Sequence, residues 1–562
     1  MTVGYGSRRG SLRSPGHLAW QTLALLLAWL YLCGLQPDND GLWFQGDAPR
    51  HAINGFFWID YLRDFTLDPT TFALSYYARY PAIDPASRPP VFYLIEGTAY
   101  QLFGPTSFVA KGVVLGFALV AAFYVMAWLR RWTSKGSGYA AAAFLLLPAM
   151  VTWSHAVMLN VPSLAFGLAA LYHARCWIEQ SRKRDLALSA MLTVLGILTY
   201  YQTGAVLFVM ACWLVIGGHL KKWAGREMFA AILVCGVVLL PFIWLIARWA
   251  PLQLDWVFPD TSTLTSMKTW TYYPRRIPAL FPNYLLGLAA IGTIGGLVQP
   301  RWRRETAFLV SWIAVLYVVF GVLHAKDLRY ALPAIVPLMC LSVIGVYWCG
   351  LAVTARLGLG LAAATRITAA GLLAVITYQA YAASKLQVPS VSGFRELVSF
   401  LDDVGADETL FYDGYYDGVF TFLVRAGDEN FDHRVVIGNK MLFSFATLNV
   451  WQSRDFAESP EQAIEILRKF VGCRWVAIEY STTHGHIYLN QHLREAVKSP
   501  AFELIRSFAI TAPVADRVDL YQLKLPVEEV REVEMRLRTS GAEATYHVRP
   551  IPPRRVGRVK QH

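Results

Sequence analysis

The chain has 562 residues, 55% of them hydrophobic and only 16% charged, with a formal net charge of +12. A soluble chain carries about a quarter charged residues, whereas a helix needs roughly 20 apolar residues to cross a bilayer; between positions 18 and 381 such runs follow one another with short polar bridges. An ordinary soluble protein is excluded. The Lys and Arg cluster beside the apolar runs and in the tail, which assigns them to topology and anionic lipid and not to nucleic acid. Of the 7 Cys only Cys473 lies away from an apolar run and no CxxC pair occurs, so neither a disulfide framework nor a zinc pattern is present.

The predicted elements begin with an apolar run at 18–35, behind Arg8, Arg9 and Arg13 and with no small-residue cleavage site after it. It reads as a retained anchor, with residues 1–16 on the cytoplasmic side. The loop 36–88 that follows is far longer than the about 15 residues beyond which loops are functional or disordered. Its aromatic residues (Trp43, Phe44, Phe56, Phe57, Trp58, Tyr61) argue for order. Gly46, Asp47, Ala48, Pro49, Arg50 and His51 precede a stretch with Phe56, Phe57, Ile59, Tyr61 and Leu62, the pattern of a helix lying on a membrane surface. The segment 89–103 is apolar but too short to span. It is expected as an interfacial or re-entrant helix anchored by Phe92, Tyr93 and Tyr100.

Spans follow at 107–129, 156–178 and onward, with basic bridges at Arg130, Arg131 and Lys135, at Arg182, Lys183 and Arg184, at Lys221, Lys222 and Arg226, at Arg301, Arg303 and Arg304, and at Arg356 and Arg366. The bridges at 153–160 and 200–204 carry no Lys or Arg. Positive-inside alternation then gives a cytoplasmic N-terminus, about 11 spans within 17–385, and an extracytoplasmic C-terminal part. Residues 390–525 alternate helix-like pieces (394–404, 460–471 after Ser459) with strand-like ones (409–412, 434–437, 475–480, 518–523), the order of a small α/β domain. Residues 526–562 are charged, then rich in Pro and Arg, and are expected to be flexible.

In this orientation the informative polar residues share the outer face. They are Asp47, Arg50, His51, Arg88, His155, Asn160, Tyr200, Tyr201, Gln202, His324, Lys326, Asp327, Arg329 and Tyr330. A further loop adds Asp255, Asp260, Lys268, Arg275 and Arg276. A carboxylate among cations at a membrane surface suits one chemistry. The carboxylate takes a proton from a hydroxyl, and the cations stabilise a departing lipid phosphate. His484, His486 and His492 form no fixed ligand set, so no metal and no cofactor is implied. The plain alternatives are a solvated or helix-capping Asp47 and arginines that snorkel to lipid head groups. Tyr415, Tyr416 and Asp417 fit an ordinary surface or core role, with sugar contact as the alternative.

The order of motifs carries a resemblance. Gly46 and Asp47 are followed by Arg88, Pro89, Pro90, Val91, Phe92 and Tyr93, then by Leu102, Phe103 and Gly104, then by Leu129, Arg130 and Arg131, with Arg329, Tyr330 and Pro333 opening a late span. The region 17–385 resembles the membrane GT-C glycosyltransferases of the protein O-mannosyltransferase and aminoarabinose-transferase type, bacterial lipopolysaccharide-modifying relatives included. The resemblance implies a polytopic α-helical membrane protein, with Asp47 as catalytic base and Arg88, Arg329 and Lys326 around the carrier phosphate. Arg50, His51, His155, Asn160, Tyr201, Gln202, His324, Asp327 and Tyr330 are the substrate-binding candidates. It further implies a polyprenyl-phosphate sugar donor, a lipid, glycan or protein acceptor, and a bacterial inner membrane. The chain departs from the pattern at Ala48, where many members have Glu, and at Asn160, where relatives often have Asp. The competing expectations are a transporter of lipid-linked sugars and a non-catalytic scaffold. A transporter would show internal repeats, broken helices or charges deep in its spans, and none of these is read from the chain.

Overall fold

The computed structural model describes residues 15–35, 46–85, 88–130, 136–249, 264–300, 302–323, 326–388, 390–405, 409–446, 452–480, 490–539 and 542–554. The helical part runs α1 (Pro15–Gly34), α2 (Asp47–Arg63), α3 (Pro69–Arg79), α4 (Val91–Phe103), α5 (Ser107–Leu129), α6 (Ser137–Leu145), α7 (Pro148–Ser154), α8 (Asn160–Gln180) and α9 (Lys183–Ile197). It continues with α10 (Ala205–Ile216), α11 (Arg226–Trp249), α12 (Met267–Leu280), α13 (Asn283–Val298), α14 (Arg303–Val322), α15 (Ile335–Arg356) and α16 (Leu361–Lys385). Among the described residues five helices are long and apolar enough to cross a membrane, or up to seven if each of two bent pairs is one span. Helix α5, at 23 residues, reaches about 35 Å at 1.5 Å per residue, enough for a hydrocarbon core of about 30 Å. Helix α11 exposes Ile232, Leu233, Val234, Val237, Leu240 and Trp244 along its length, a surface that lipid tolerates and water does not. The chain is a multi-pass membrane protein.

Two features differ from the reading of the spans. The pairs α6–α7 and α12–α13 bend by 57° and 111°, and Lys111 of α5 and Arg175 of α8 are buried. Arg175 sits between Glu179, at 2.7 Å, and Glu305, with its guanidinium over the rings of Trp128 and Trp213; the buried charge is tolerated because it is paired. Helices α13 and α15 meet through glycine. A Cβ on Gly292 would stand 1.9 Å from the Leu341 carbonyl oxygen, and one on Gly345 2.0 Å from that of Leu288. Small residues let backbones approach where lipid supplies no hydrophobic drive between helices.

Beyond α16 lies a five-stranded sheet of order β2-β1-β5-β7-β6. Its strands are β1 (Thr409–Asp413), β2 (Arg434–Ile437), β5 (Trp475–Tyr480), β6 (Phe502–Ala509) and β7 (Arg517–Leu523); β3 (Phe443–Ala446) and β4 (Gln452–Asp455) form a separate hairpin. Strand β1 runs parallel to β2 and β5, while β7 is antiparallel to β5 and β6. Helices α17 (Phe394–Asp403) and α18 (Asp417–Gly427) bury Phe394, Leu397, Val419 and Phe420 in one core, and Leu467, Val471 and Leu493 pack with Phe411, Val476 and Ile478 in another. The tail expected to be flexible instead forms an antiparallel hairpin, β8 (Val533–Thr539) and β9 (Ala542–Val548), whose Met535 and Val548 pack on Ala78 of α3. Its alternation of polar and apolar residues is masked by the charge density that suggested disorder.

The sheet unit is bound to the connection between α1 and α4. Phe56 of α2 meets Phe422 of α18 at 5.8 Å, and Arg425 pairs with Asp60 at 2.6 Å. Arg79 donates to the carbonyls of Ile551, at 2.6 Å, and His433, at 3.0 Å. This changes two expectations. Helix α2 does not lie with its aromatic face on lipid, because Phe56 is buried between α4 and α18 and Phe57 is buried against Phe72 and Tyr76 of α3. Phe92, Tyr93 and Tyr100 of α4 are likewise buried, and Ile95, Leu102 and Phe103 are the exposed large apolar residues of that helix.

Two outcomes follow for stability. Gly345→Leu should lower the thermal unfolding midpoint in detergent, by at least the about 1–3 kcal/mol of overpacking, since a main-chain oxygen cannot yield as a side chain would. Arg425→Met should cost toward the lower end of the about 3–5 kcal/mol seen when one partner of a buried pair is removed, because Arg554 still reaches Asp60 at 3.1 Å. Midpoints equal to wild type would refute either expectation.

Candidate functional site

Asp47 is the first residue of α2, where the unsatisfied amides and helix dipole favour an anion. Arg88 comes from the turn ahead of Pro89 and Pro90, whose exit is pinned by the Val91 amide donating to the Leu198 carbonyl at 2.9 Å. Arg329 stands on a 3₁₀ turn, Leu328–Ala334, between α14 and α15. Asp327 caps that turn through the Arg329 amide at 3.0 Å, and its carboxylate also lies 3.1 Å from Arg329 Nε. The three groups converge. Arg88 Nη2 donates to Asp47 Oδ1 at 3.2 Å, and both terminal nitrogens of Arg329 donate to Oδ2 at 3.2 Å. Burial opposes ionisation of Asp47, but the charges of Arg88 and Arg329 outweigh it and hold the carboxyl well below the usual carboxylate range.

A carboxylate has about four lone-pair positions. Three are engaged here, so the position left on Oδ1 is where a hydroxyl can approach. His51, one turn along α2, is buried, and its Nδ1 lies 2.6 Å from the Tyr93 hydroxyl. Its Nε2 lies 3.4 Å from Arg88 Nη1. Burial and the Arg88 charge push its pKa well below the ordinary value, so the imidazole is neutral. Asp84 adds a second carboxylate 3.8 Å from Arg88 Nε.

Three cavities lie on the elements that carry this cluster. A narrow one of about 30 Å³ is lined by Asn160, Tyr200, Gln202, Thr203, Arg329 and Pro333 among others. An apolar groove of about 340 Å³ runs among the membrane helices, lined by Tyr273, Ile277, Leu286, Leu316, Phe320 and Leu338. Leu316 belongs to both linings. A larger cavity of about 690 Å³ lies between α3, β2 and β8, with Arg50, Tyr77, Asn439 and Lys440 in its wall.

The structure therefore brings Asp47, Arg88, Arg329 and His51 together, with Asn160, Gln202 and Tyr330 close to Arg329 and the Tyr201 ring tilted against that of Tyr200 at 5.0 Å. Asp327 acts behind Arg329. It does not bring in Lys326, whose ammonium is turned back to the carbonyls of Phe320, Gly321 and Leu323 and closes the end of α14. His155 is spent on the main-chain carbonyls of Val151, at 2.6 Å, and Leu32, at 3.0 Å. Arg50 turns away to Asp417 at 3.2 Å. His324, Asp255, Asp260, His484 and His486 lie outside the described residues. Among the described residues no group of three or more His, Cys, Asp or Glu could hold a metal ion. Tyr93, expected as a membrane anchor, and Asp417, expected in an ordinary role or at a sugar, instead contact His51 and Arg50. Nothing in their spacing announces a partner 42 or 367 positions away.

Comparison with known proteins bears on this arrangement. A family model described as dolichyl-phosphate-mannose-protein mannosyltransferase matches residues 87–245. A curated relative, the undecaprenyl phosphate-alpha-4-amino-4-deoxy-L-arabinose arabinosyl transferase of Yersinia enterocolitica, is 23% identical over 335 residues. That match covers 57% of this chain and 57% of the relative's length. The fold is similar to that of ArnT from Cupriavidus metallidurans, solved with undecaprenyl phosphate, at a TM-score of 0.59 and 13% identity over 92% of this chain and 100% of that one. The archaeal oligosaccharyltransferase AglB from Archaeoglobus fulgidus, solved with an inhibitory peptide and a dolichol-phosphate, gives 0.50 at 11% identity over 83% and 70%. Motif order, sequence match and fold agree: the chain is similar to the membrane glycosyltransferases of the aminoarabinose- and mannosyl-transferase type and shares their fold.

Proposed function

We propose that this protein transfers a sugar from a polyprenyl-phosphate donor to a hydroxyl of a lipid, glycan or protein acceptor at the outer face of a bacterial inner membrane. The observation that carries the reading is the single carboxylate held by two guanidiniums beside an apolar groove. The groove of about 340 Å³ suits part of a prenyl chain, and Arg329 on the adjoining turn suits its phosphate. Arginine presents a planar fork that matches phosphate oxygens. The relatives named above support the donor class, since one was solved with undecaprenyl phosphate and another with a dolichol-phosphate.

The proposed step is a displacement. The acceptor oxygen attacks the anomeric carbon, the bond from that carbon to the phosphate oxygen breaks, and the phosphate leaves with the electron pair. Asp47 takes the acceptor proton, and Arg88 and Arg329 neutralise charge on the leaving phosphate. Without donor the two arginines are occupied by Asp47. A bound phosphate competes for them, which frees the carboxylate and raises its basicity when the acceptor needs it. The sidedness belongs to the same proposal. The basic bridges support a cytoplasmic N-terminus, and counting α1, α8, α9 and α10 with the longer apolar helices is consistent with about 11 spans. The sheet unit then lies outside.

The deciding experiment measures release of free polyprenyl phosphate from a panel of lipid-phosphate sugars, using purified protein in lipid with candidate acceptors. Wild type should turn over at least one donor, and Asp47→Asn should lose about 100-fold or more, the lower scale of general-base effects. Equal turnover would remove Asp47 from the mechanism. Absence of release together with transbilayer movement of the donor would favour a transporter, the reading that the bent helix pairs and buried Lys111 admit.

A pH profile supplies a second check. The depressed pKa of Asp47 keeps it ionised below the about 3.9 of an ordinary Asp, so the acid limb of kcat/KM for the free enzyme should fall below that value. Arg329→Gln removes one stabilising charge and should move the limb upward while lowering turnover. The sign for stability is the same: a depressed pKa contributes stability above about pH 3.9 that is lost as pH falls through the folded value. An acid limb unmoved in Arg329→Gln would contradict the assignment.

A further inference from the structure

We propose that Asp417, in the sheet unit, is a positioning residue for the transfer reaction, acting by holding Arg50 away from Asp47. The proposal rests on the reading of Asp47 as the base. Arg50 follows Asp47 by three positions on α2, and residues at that spacing share a helix face. Nothing in its own helix would keep its guanidinium from the carboxylate one turn back. What keeps it is a carboxylate from another part of the chain: Arg50 Nη2 lies 3.2 Å from Asp417 Oδ2 and 3.4 Å from Oδ1. Asp417 opens α18, is 2% exposed, and is held in turn by the Asn439 side-chain amide at 3.2 Å.

The approach of α18 to α2 is built for this contact. A Cβ on Gly418 would stand 2.9 Å from Pro49 Cγ, so the residue after Asp417 lets the two helix starts touch beside Arg50. The consequence for Asp47 comes from counting its lone pairs. Arg88 and Arg329 already engage three of about four positions. A third guanidinium would fill the place the acceptor hydroxyl needs and depress the basicity of the carboxylate further. Asp417 prevents both. The groups that act most strongly on Arg50 are Asp417, Tyr77 and Asp47, so without Asp417 the carboxylate with the strongest remaining pull on it is Asp47 itself.

The test uses full-length protein in lipid vesicles and the polyprenyl-phosphate release assay, with Asp417→Asn, Asp417→Glu, Arg50→Gln and the double variant R50Q/D417N. Asp417→Asn should lower kcat about tenfold, the scale of one pKa unit, with the donor KM held within about twofold, and Asp417→Glu should recover most of the rate. The double variant should turn over as fast as Arg50→Gln alone, because Asp417 has nothing left to restrain. A merely structural Asp417 would instead add its full loss in both backgrounds, and that result, or an Asp417→Asn protein as fast as wild type, overturns the proposal. The double variant leaves no unpaired charge buried at the contact, so its comparison with Arg50→Gln decides the matter even where Asp417→Asn does not fold. Asp47→Asn is measured alongside. If it retains turnover, the base reading has failed on its own account, whereas an inactive Asp47→Asn with additive Asp417 and Arg50 losses means that only the present proposal has failed.

Discussion

The carboxylate of Asp47 is shared between Arg88 and Arg329, and these come from segments 41 and 282 positions away. No local element can supply that contact. It requires that the start of α2, the turn before α4 and the turn before α15 be held at one point. Much of the surrounding structure can be understood as what holds them there. Asp327 fixes Arg329 from behind, the Val91 amide fixes the exit from Arg88, and the helix dipole stabilises the carboxylate where α2 begins. Two cations of like sign tolerate each other because a carboxylate lies between them, with Asp84 and Asp327 on the outer sides.

A second layer of charge locks the connection between α1 and α4 to the sheet unit. Asp60 receives Arg425, Tyr76 and Arg554, and Arg79 reaches three main-chain carbonyls. All but Arg554 are almost wholly buried, and their charges are compensated in place. Rings fill the space around them, with Phe431 beneath both Arg425 and Arg554. The sheet unit thus packs against the helix that carries Asp47, and its Asp417 reaches Arg50 three residues on. The segment 533–554, which its charge made look like a loose tail, contributes Arg554 and the Ile551 carbonyl to that lock.

In the membrane part the same demand is met with other means. Gly292 and Gly345 let α13 and α15 approach at backbone distance, and the bends between α6 and α7 and between α12 and α13 re-aim helices that would otherwise cross straight. The second bend sets Tyr273 and Ile277 against Leu286, which forms one side of the apolar groove beside the arginine cluster. Lys222 shows the economy of these ends: it closes α8 by donating to the Ile178 carbonyl at 2.6 Å and to Ser181 at 2.7 Å.

The sequence by itself determined the membrane class, the long polar connection after α1 and part of the helix-strand order of the sheet unit, without α18, β3, β4 or β6, and it singled out Asp47, Arg88 and Arg329 as candidates. Each of these is written in hydropathy, in charge placed next to apolar runs, or in a local motif, all of which act over a few neighbouring residues. Only the tertiary structure decided which cations serve the carboxylate. Lys326 and Arg50 have the right charge at the right end of their helices, yet one is consumed by carbonyls at the end of α14 and the other by Asp417. Only the fold, too, turned the aromatic faces of α2 and α4 inward, because a hydrophobic face looks the same in a sequence whether lipid or another helix covers it. The tail's hairpin was hidden for a related reason: charged residues on a strand exposed to water and charged residues in a disordered segment carry the same composition. A long-range partner leaves no periodic trace, and the site of this protein is made of such partners.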